Sequence, residues 1–468
     1  MAPLPLLVLV LALWACHPEA LRPPQLPEAS NALRYHVTYV REPAPALDVE
    51  ITRTREDSPL DFLFSQPGGV SRVLAVESEG PVHALTVSAE GRVIAPSGTR
   101  FLRYRYLLDA NPRRGRRGLS ASAGMGEGDA WHVAGRAWLL RPRTVTPSMR
   151  ATLRVEGVDA LLPWAPDPEG VYHLRGEDLV DSGLHGFGGR RCTARPPGAV
   201  LEVALLGRFS RMDDAALCEW LRQSAEVVLT VRRSFPYPRI TVRLVSVPGR
   251  ESSALFGTVQ WSSPPSVSLF VGQDSAPESF QEDWVVLHEF LHLAHPPVLP
   301  RVPWLTEGLA TYYTEVGRAR AGRFSPEQAW TELLAGFARG RSAVAGRTMR
   351  DVVDSGDSYM GTYWTGALFA LHLDVELRRA TGNRHGLDEV LERLAASGPT
   401  ATFDGFGAAV DAVAGRPLFG SLLARHLDAP AFAEQGALLQ ALGVEGGPDG
   451  VRLGAARDSP LREALEGR

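Results

Sequence analysis

The stretch Trp284-Val-Val-Leu-His288-Glu289-Phe-Leu-His292-Leu-Ala-His295, followed after a proline-rich break by Trp304-Leu-Thr-Glu307-Gly-Leu-Ala-Thr-Tyr-Tyr313, decides how the rest of the chain is read. His288 and His292 stand four apart, so on a helix they leave one face and can grip a single ion. Glu289 lies beside them, where a carboxylate can take a proton from water. Glu307 opens a second helical pattern and offers a third ligand. Two His and one Glu with a fourth position open is the arrangement of a catalytic zinc, not of a closed structural one. The expected cofactor is one Zn2+ ion.

An isolated His-Glu-x-x-His also arises on amphipathic helices that bind nothing. The surroundings argue against that here. Ser275-Ala-Pro-Glu278 predicts a capping box that starts the motif helix, and Pro296 and Pro297 predict its end. Trp304 to Val316 predicts the second helix, with Glu307 in its first turns. Phe290 and Trp304 read as core, and His295 as a helix-end histidine interacting with the last carbonyls. His185, His372 and His426 read as ordinary residues. The oxyanion of such a reaction needs a donor besides the metal. The residues alone offer Tyr312, Tyr313, Tyr359 and Tyr363 without choosing among them.

Outward from this stretch, 468 residues predict more than one domain. A hydrophobic share of 44% and a charged share of 22% are those of a soluble globular protein. The net charge of −4 gives no electrostatic case for nucleic acid, and all 49 basic residues are Arg. From Leu33 to about Leu162 the pattern is of short alternating runs broken by Gly and Pro: Tyr35 to Val40, Val82 to Val87, Arg103 to Leu108, Arg150 to Val155. This predicts a β-sandwich. Arg113, Arg114, Arg116 and Arg117 fall in a Gly- and Ser-rich run that reads as a solvated loop.

Beyond Leu162 the pattern changes. Strands are expected at Leu201 to Leu206, Ile240 to Val247 and Ser266 to Val271, with a helix capped by Asp213 running to about Phe235. Helices are expected over Ser358 to Thr381, Leu387 to Ala396 and Phe419 to Leu427. A β domain, then strands followed by helices, gives an α+β fold. The expected division is a signal peptide (1–15), a Pro-rich tether (16–30), the N-terminal β-sandwich (31–175), the catalytic domain (176–430) and a C-terminal tail (431–468).

Leu4 to Trp14 is apolar but too short to span a bilayer, and reads as a signal-peptide core. It ends Leu13-Trp14-Ala15-Cys16, similar to the bacterial lipoprotein box, which implies Cys16 as the lipidated residue and the membrane as a partner through that anchor; the alternative is a plain secretory peptide cut near Ala15 or Ala20. Cys192 and Cys218 remain, as a disulfide or as two buried thiols.

The two-part motif resembles the gluzincin metallopeptidases. Downstream, Tyr363-Trp-Thr-Gly366, with Asp374, Arg378 and Thr381-Gly382 on the same long helix and Leu387 to Leu391 after it, resembles the glycyl aminopeptidase family. The resemblance covers about Leu201 to Leu394 and is weaker over the β domain. It implies a thermolysin-like catalytic domain, His288, His292 and Glu307 as zinc ligands, Glu289 as general base and Tyr363 as oxyanion donor. It also implies a peptide substrate, lying along the strand near Ser266 to Val271.

Three departures are visible. Thr365 replaces the family's Lys. Where relatives carry a Glu that holds the substrate's free amine, the matching Gly257-Thr-Val-Gln260 ends in a neutral Gln. Gly257 and Gln260 are therefore the expected substrate-binding positions, with aminopeptidase specificity in question. The residues from Leu442 to Arg468 are too few for the PDZ module with which that family often ends. The expected function is an exported zinc metallopeptidase. The alternative, from another class, is a non-catalytic envelope binding protein on the same fold.

Overall fold

In the computed structural model the described residues are 31–468, apart from 56, 66–69, 71–72, 78–81, 110–124 and 282. The expected signal peptide, the tether with Cys16 and the arginine run at 113–117 lie outside them.

The N-terminal part is built from three sheets. Seven strands form the largest, in spatial order Val171–Arg175, Arg150–Glu156, Asn31–Val40, Ala46–Arg53, Thr99–Leu107, Val73–Glu77, Val82–Leu85. Alternation sets its two faces: Leu33, Tyr35, Val37 and Tyr39 point inward, while the residues between them are exposed. A three-stranded and a four-stranded sheet share its core. Two buried phenols tie these layers together, Tyr104 Oη donating to Trp138 O at 2.7 Å and Tyr35 Oη to Leu140 O at 2.9 Å. The strand Leu184–Phe187 still pairs with Ala130–Ala134, so these sheets run past residue 175.

A separate five-stranded sheet follows in the order Arg190–Ala194, Val200–Leu206, Arg239–Val247, Ser266–Gly272, Ala254–Gln260. Ile240, Val242, Leu244, Val267, Leu269 and Val271 face the helical core. The alternate residues Val245, Val247 and Phe270 pack with Ala130 of the N-terminal sheets. Ala254–Gln260 is the outer strand, antiparallel to Ser266–Gly272. The expected strands are all present.

The helices refine the expectation. Asp213 caps Asp214–Glu226, accepting from Ala216 N at 2.7 Å, but the helix gives way to a 3₁₀ turn at Val227 instead of reaching Phe235. Ser275 does not cap the motif helix. Its hydroxyl donates to Ser252 O and Gly272 O, and Pro277–Phe280 is a single 3₁₀ turn. The motif helix begins at Val285 and ends at His292. Pro303–Arg320 carries Glu307, Pro326–Val344 and Met349–Ser355 follow, and Tyr359–Thr381 is the long central helix. The expected helices at Leu387–Ser397 and Phe419–Asp428 are present, with Phe403–Ala414 between them. Among the described residues no helix is long and apolar enough to cross a membrane.

The residues read as a tail are part of the fold. Gln435–Leu442, a hairpin at Val444–Leu453 and Ser459–Leu465 bring buried polar groups to the central helices. Glu466 accepts from Trp330 Nε1 at 2.8 Å, and Asp458 pairs with Arg379.

Cys192, on the first strand of the five-stranded sheet, and Cys218, on the helix packed against it, form a disulfide with Cα atoms 6.6 Å apart. A crosslink over 26 positions removes unfolded-state freedom worth about 3 kcal/mol. Cys218→Ala should therefore lower the denaturation midpoint by an amount equivalent to about 3 kcal/mol. Equal midpoints for wild type and variant would show that the crosslink is not formed or not stabilising.

Candidate metal centre

Asp283 starts the motif helix and fixes it to the sheet. Its Oδ1 accepts from Val286 N at 2.8 Å, the capping bond that Ser275 does not make. Its Oδ2 accepts from Ala254 N at 2.7 Å and from the Ser253 hydroxyl, at the start of the outer strand. One buried carboxylate thus sets both the start of the helix and its height above the strand. An Asp just before an apolar helical run is a start signal, and it outcompetes Ser275 here because it has two elements to hold.

From this helix His288 and His292 project together, as their spacing requires, and Glu307 reaches them from the next helix. His288 Nε2 lies 3.0 Å and His292 Nε2 3.3 Å from Glu307 Oε2. One ligand atom from each of the three falls within 4.8 Å of the others, the one such group among the described residues. For bonds of about 2.0–2.1 Å, a tetrahedral zinc site has ligand atoms about 3.3 Å apart. The two separations from Glu307 are close to that value, so the triad can hold a metal ion, and its donor set of borderline-soft nitrogen plus carboxylate oxygen suits zinc.

Electrostatics follow from burial. Desolvation pulls His288 down to about 4, toward the neutral imidazole that ligation needs, against the hydrogen bond that Glu307 accepts from it. Burial also acts to lower His292, but the charge and hydrogen bond of Glu307 and the charge of Glu289 outweigh it and raise it. For Glu307 burial acts upward, yet the two histidines hold it well below the usual carboxylate range. Glu289 is pushed up to about 7 by burial, with His292 opposing and Glu307 reinforcing.

The ring of His288 is oriented by stacking. Trp284 lies 4.4 Å away at 22° on one contact, and Tyr363 5.4 Å away at 10° on another. Its Nδ1 is buried with no hydrogen-bond partner. Trp284 is itself anchored, its Nε1 donating to Glu315 Oε1 at 3.0 Å.

The structure separates the four candidate phenols. Tyr312 Oη donates to Asp374 and Tyr313 Oη to Asp388, each at 2.8 Å, so both are committed to holding helices together. Tyr359 is 81% exposed. Of the four, Tyr363 stands against His288, within hydrogen-bonding reach of Glu307, and its hydroxyl is raised by burial and then by that carboxylate.

Of the expected substrate-binding pair, Gly257 belongs to the site. A methyl group there would collide with Glu289, whose carboxyl carbon would be 2.8 Å away, so the bare backbone lets Glu289 lie against the outer strand. Gln260 instead donates through Nε2 to Asp181 O at 3.0 Å, engaging the N-terminal part. His295 bonds through Nδ1 to Pro296 O at 2.8 Å and does not reach the last carbonyls of the motif helix. Phe290 and Trp304 are core, as read. His372 and His426 pair with each other in the helical core at 2.9 Å, and His185 is buried against Trp138.

No protein-family model and no curated protein matches this sequence. The fold does match solved structures. An aminopeptidase N family protein from Idiomarina loihiensis superposes with a TM-score of 0.68 at 16% identity, over 88% of this chain and 78% of that one. An M1 zinc metallopeptidase from Deinococcus radiodurans gives 0.47 at 17% identity, over 84% of this chain and 92% of that one. The fold assignment rests on the first. The chain has that protein's fold, an N-terminal sheet part followed by a helical part.

The ligand set makes a direct prediction. Elemental analysis of the purified protein should find one zinc per chain, lost in His292→Ala and kept in Glu289→Gln. Equal metal content in wild type and His292→Ala would exclude this centre.

Proposed function

We propose that the protein is a zinc-dependent hydrolase of peptide bonds. The observation that carries this is the convergence of His288, His292 and Glu307 on one point, flanked by Glu289 and by Tyr363. His288, His292 and Glu307 would hold the ion, which when bound supplies Lewis-acid activation of water and of the scissile carbonyl.

The chain's own residues supply the rest. The strand Ser266–Gly272, expected to run along the substrate, is paired on both sides and has no edge to offer; the outer strand, Ala254–Gln260, has one edge unpaired among the described residues and lies beside the motif helix, so an extended peptide can add to it by backbone hydrogen bonds. Glu289, lifted toward neutrality and held against Gly257, accepts the proton of the attacking water and returns it to the leaving amine. Tyr363 keeps its proton at neutral pH, because burial and the Glu307 carboxylate both oppose ionisation. It can therefore donate a hydrogen bond to the oxyanion that develops.

Aminopeptidase action is the narrower reading. Gln260 is neutral and its amide is already bonded to Asp181 O, so this position offers a terminal ammonium no carboxylate. We also propose export with a lipid anchor at Cys16. The supports are the apolar run Leu4 to Trp14 ending at that cysteine and the Cys192–Cys218 disulfide, which suits an oxidising compartment.

On a mixed peptide library, Glu289→Gln should keep its zinc and lose cleavage. Tyr363→Phe should retain binding and lose about 10²–10³ in kcat, as loss of an oxyanion donor does. Zinc without cleavage in the wild type would refute the hydrolase. Matched free and N-acetylated peptides then separate aminopeptidase from endopeptidase action. For the anchor, Cys16→Ser should move the protein to the soluble exported fraction; unchanged membrane partition would remove it.

A further inference from the structure

Tyr363 has to be held at a fixed distance from the ligands, and the residues that do this are not in the motif. It lies near the start of the helix Tyr359–Thr381, half-buried, stacked on His288. The next residue, Trp364, is 3% exposed and enters the neighbouring helix Pro326–Val344. There, Gly336 and Gly340 stand four apart on one face and leave a slot. A methyl group at Gly336 would overlap Cη2, Cζ3 and Cζ2 of the indole. One at Gly340 would overlap Cβ of Trp364 and lie 2.7 Å from Phe432 Cζ. Phe337 closes the slot edge-on at 6.1 Å, and the Arg339 guanidinium lies 5.3 Å from the indole centre.

On another side the same helix touches the ligand helix backbone to backbone. A methyl at Gly308 would sit 2.5 Å from Gly366 Cα, and one at Gly366 would collide with Trp304 O. Gly308 follows the ligand Glu307, and Gly366 is three residues after Tyr363. The start of the tyrosine helix is thus fixed between two helices, on each side by residues without side chains.

We infer that Gly336 and Gly340 are positioning residues for the reaction, a seat for Trp364 that sets where the Tyr363 hydroxyl stands over the metal ligands. This rests on the role proposed for Tyr363. Any group added to the floor of the seat pushes Trp364 out, and Tyr363, its neighbour on a rigid helix, moves with it. A misplacement of about 1 Å at a reacting centre can cost about 10² in rate.

Gly336→Ala should lower kcat by about 10² with KM and zinc content unchanged. Combining it with Trp364→Phe, which removes the ring atoms the methyl meets, should restore kcat at least tenfold. The inference is overturned if Gly336→Ala keeps wild-type kcat, if zinc and kcat are lost together, or if the double variant regains thermal stability without regaining kcat. Should Gly336→Ala fail to fold, Trp364→Phe alone tests the same seat: kcat should fall about tenfold at constant KM, and unchanged kcat overturns it. Tyr363→Phe distinguishes the two claims. Full activity there removes the tyrosine's role and the seat with it, whereas a slow Tyr363→Phe beside a wild-type Gly336→Ala removes the seat alone.

Discussion

Glu307 has to reach two histidines on a different helix, and the arrangement of the helical part follows from keeping that reach short. A carboxylate side chain is brief, so the ligand helix must cross close to the motif helix. The tyrosine helix must in turn lie close enough to the ligand helix to bring a phenol over the same point. Gly308 against Gly366 allows the second approach, since any side chain at either position would hold the backbones apart. Farther along, Tyr312 to Asp374 and Tyr313 to Asp388 hold the helices together with buried hydrogen bonds.

Burial makes this close crossing chemically useful. In water two imidazoles and two carboxylates would titrate almost independently. In the buried site one histidine is kept neutral, one carboxylate is held ionised by its histidine partners, and the other is lifted to about 7. Asp283 extends the same economy to the backbone: it caps the motif helix and fixes the outer strand with one side chain. The helix that carries His288, Glu289 and His292 is therefore hydrogen-bonded to the start of the outer strand.

Much of this was legible in the sequence because it depends on periodicity. The spacing of His288, His292 and Glu307, the alternation from Leu33 to Val40, and the apolar strands at Ile240 and Ser266 each encode a local geometry that the fold preserves. What was not legible depends on contacts between distant residues. Ser275-Ala-Pro-Glu278 has a capping pattern, yet Asp283 wins because it also binds Ala254 and Ser253. The helix Pro326–Val344 is not among the expected elements, although Ser325 and Gln328 form a capping box at its start, and it carries Gly336 and Gly340. Those glycines make sense only once Trp364 is seen lying on them. The choice among four tyrosines likewise needed the acceptors Asp374 and Asp388 to remove two of them. The residues read as a tail hide their role because Asp458 and Glu466 find their partners, Arg379 and Trp330, more than a hundred positions away in one case and far along the chain in the other.

The central claim is that one zinc ion sits between His288, His292 and Glu307, and its most direct test is X-ray absorption at the zinc edge on the purified wild-type protein. Two imidazole nitrogens at about 2.0–2.1 Å, completed by oxygen ligands at about 2.0–2.2 Å, is the shell this account predicts. A shell containing sulfur at about 2.3 Å, or one without imidazole, would contradict it.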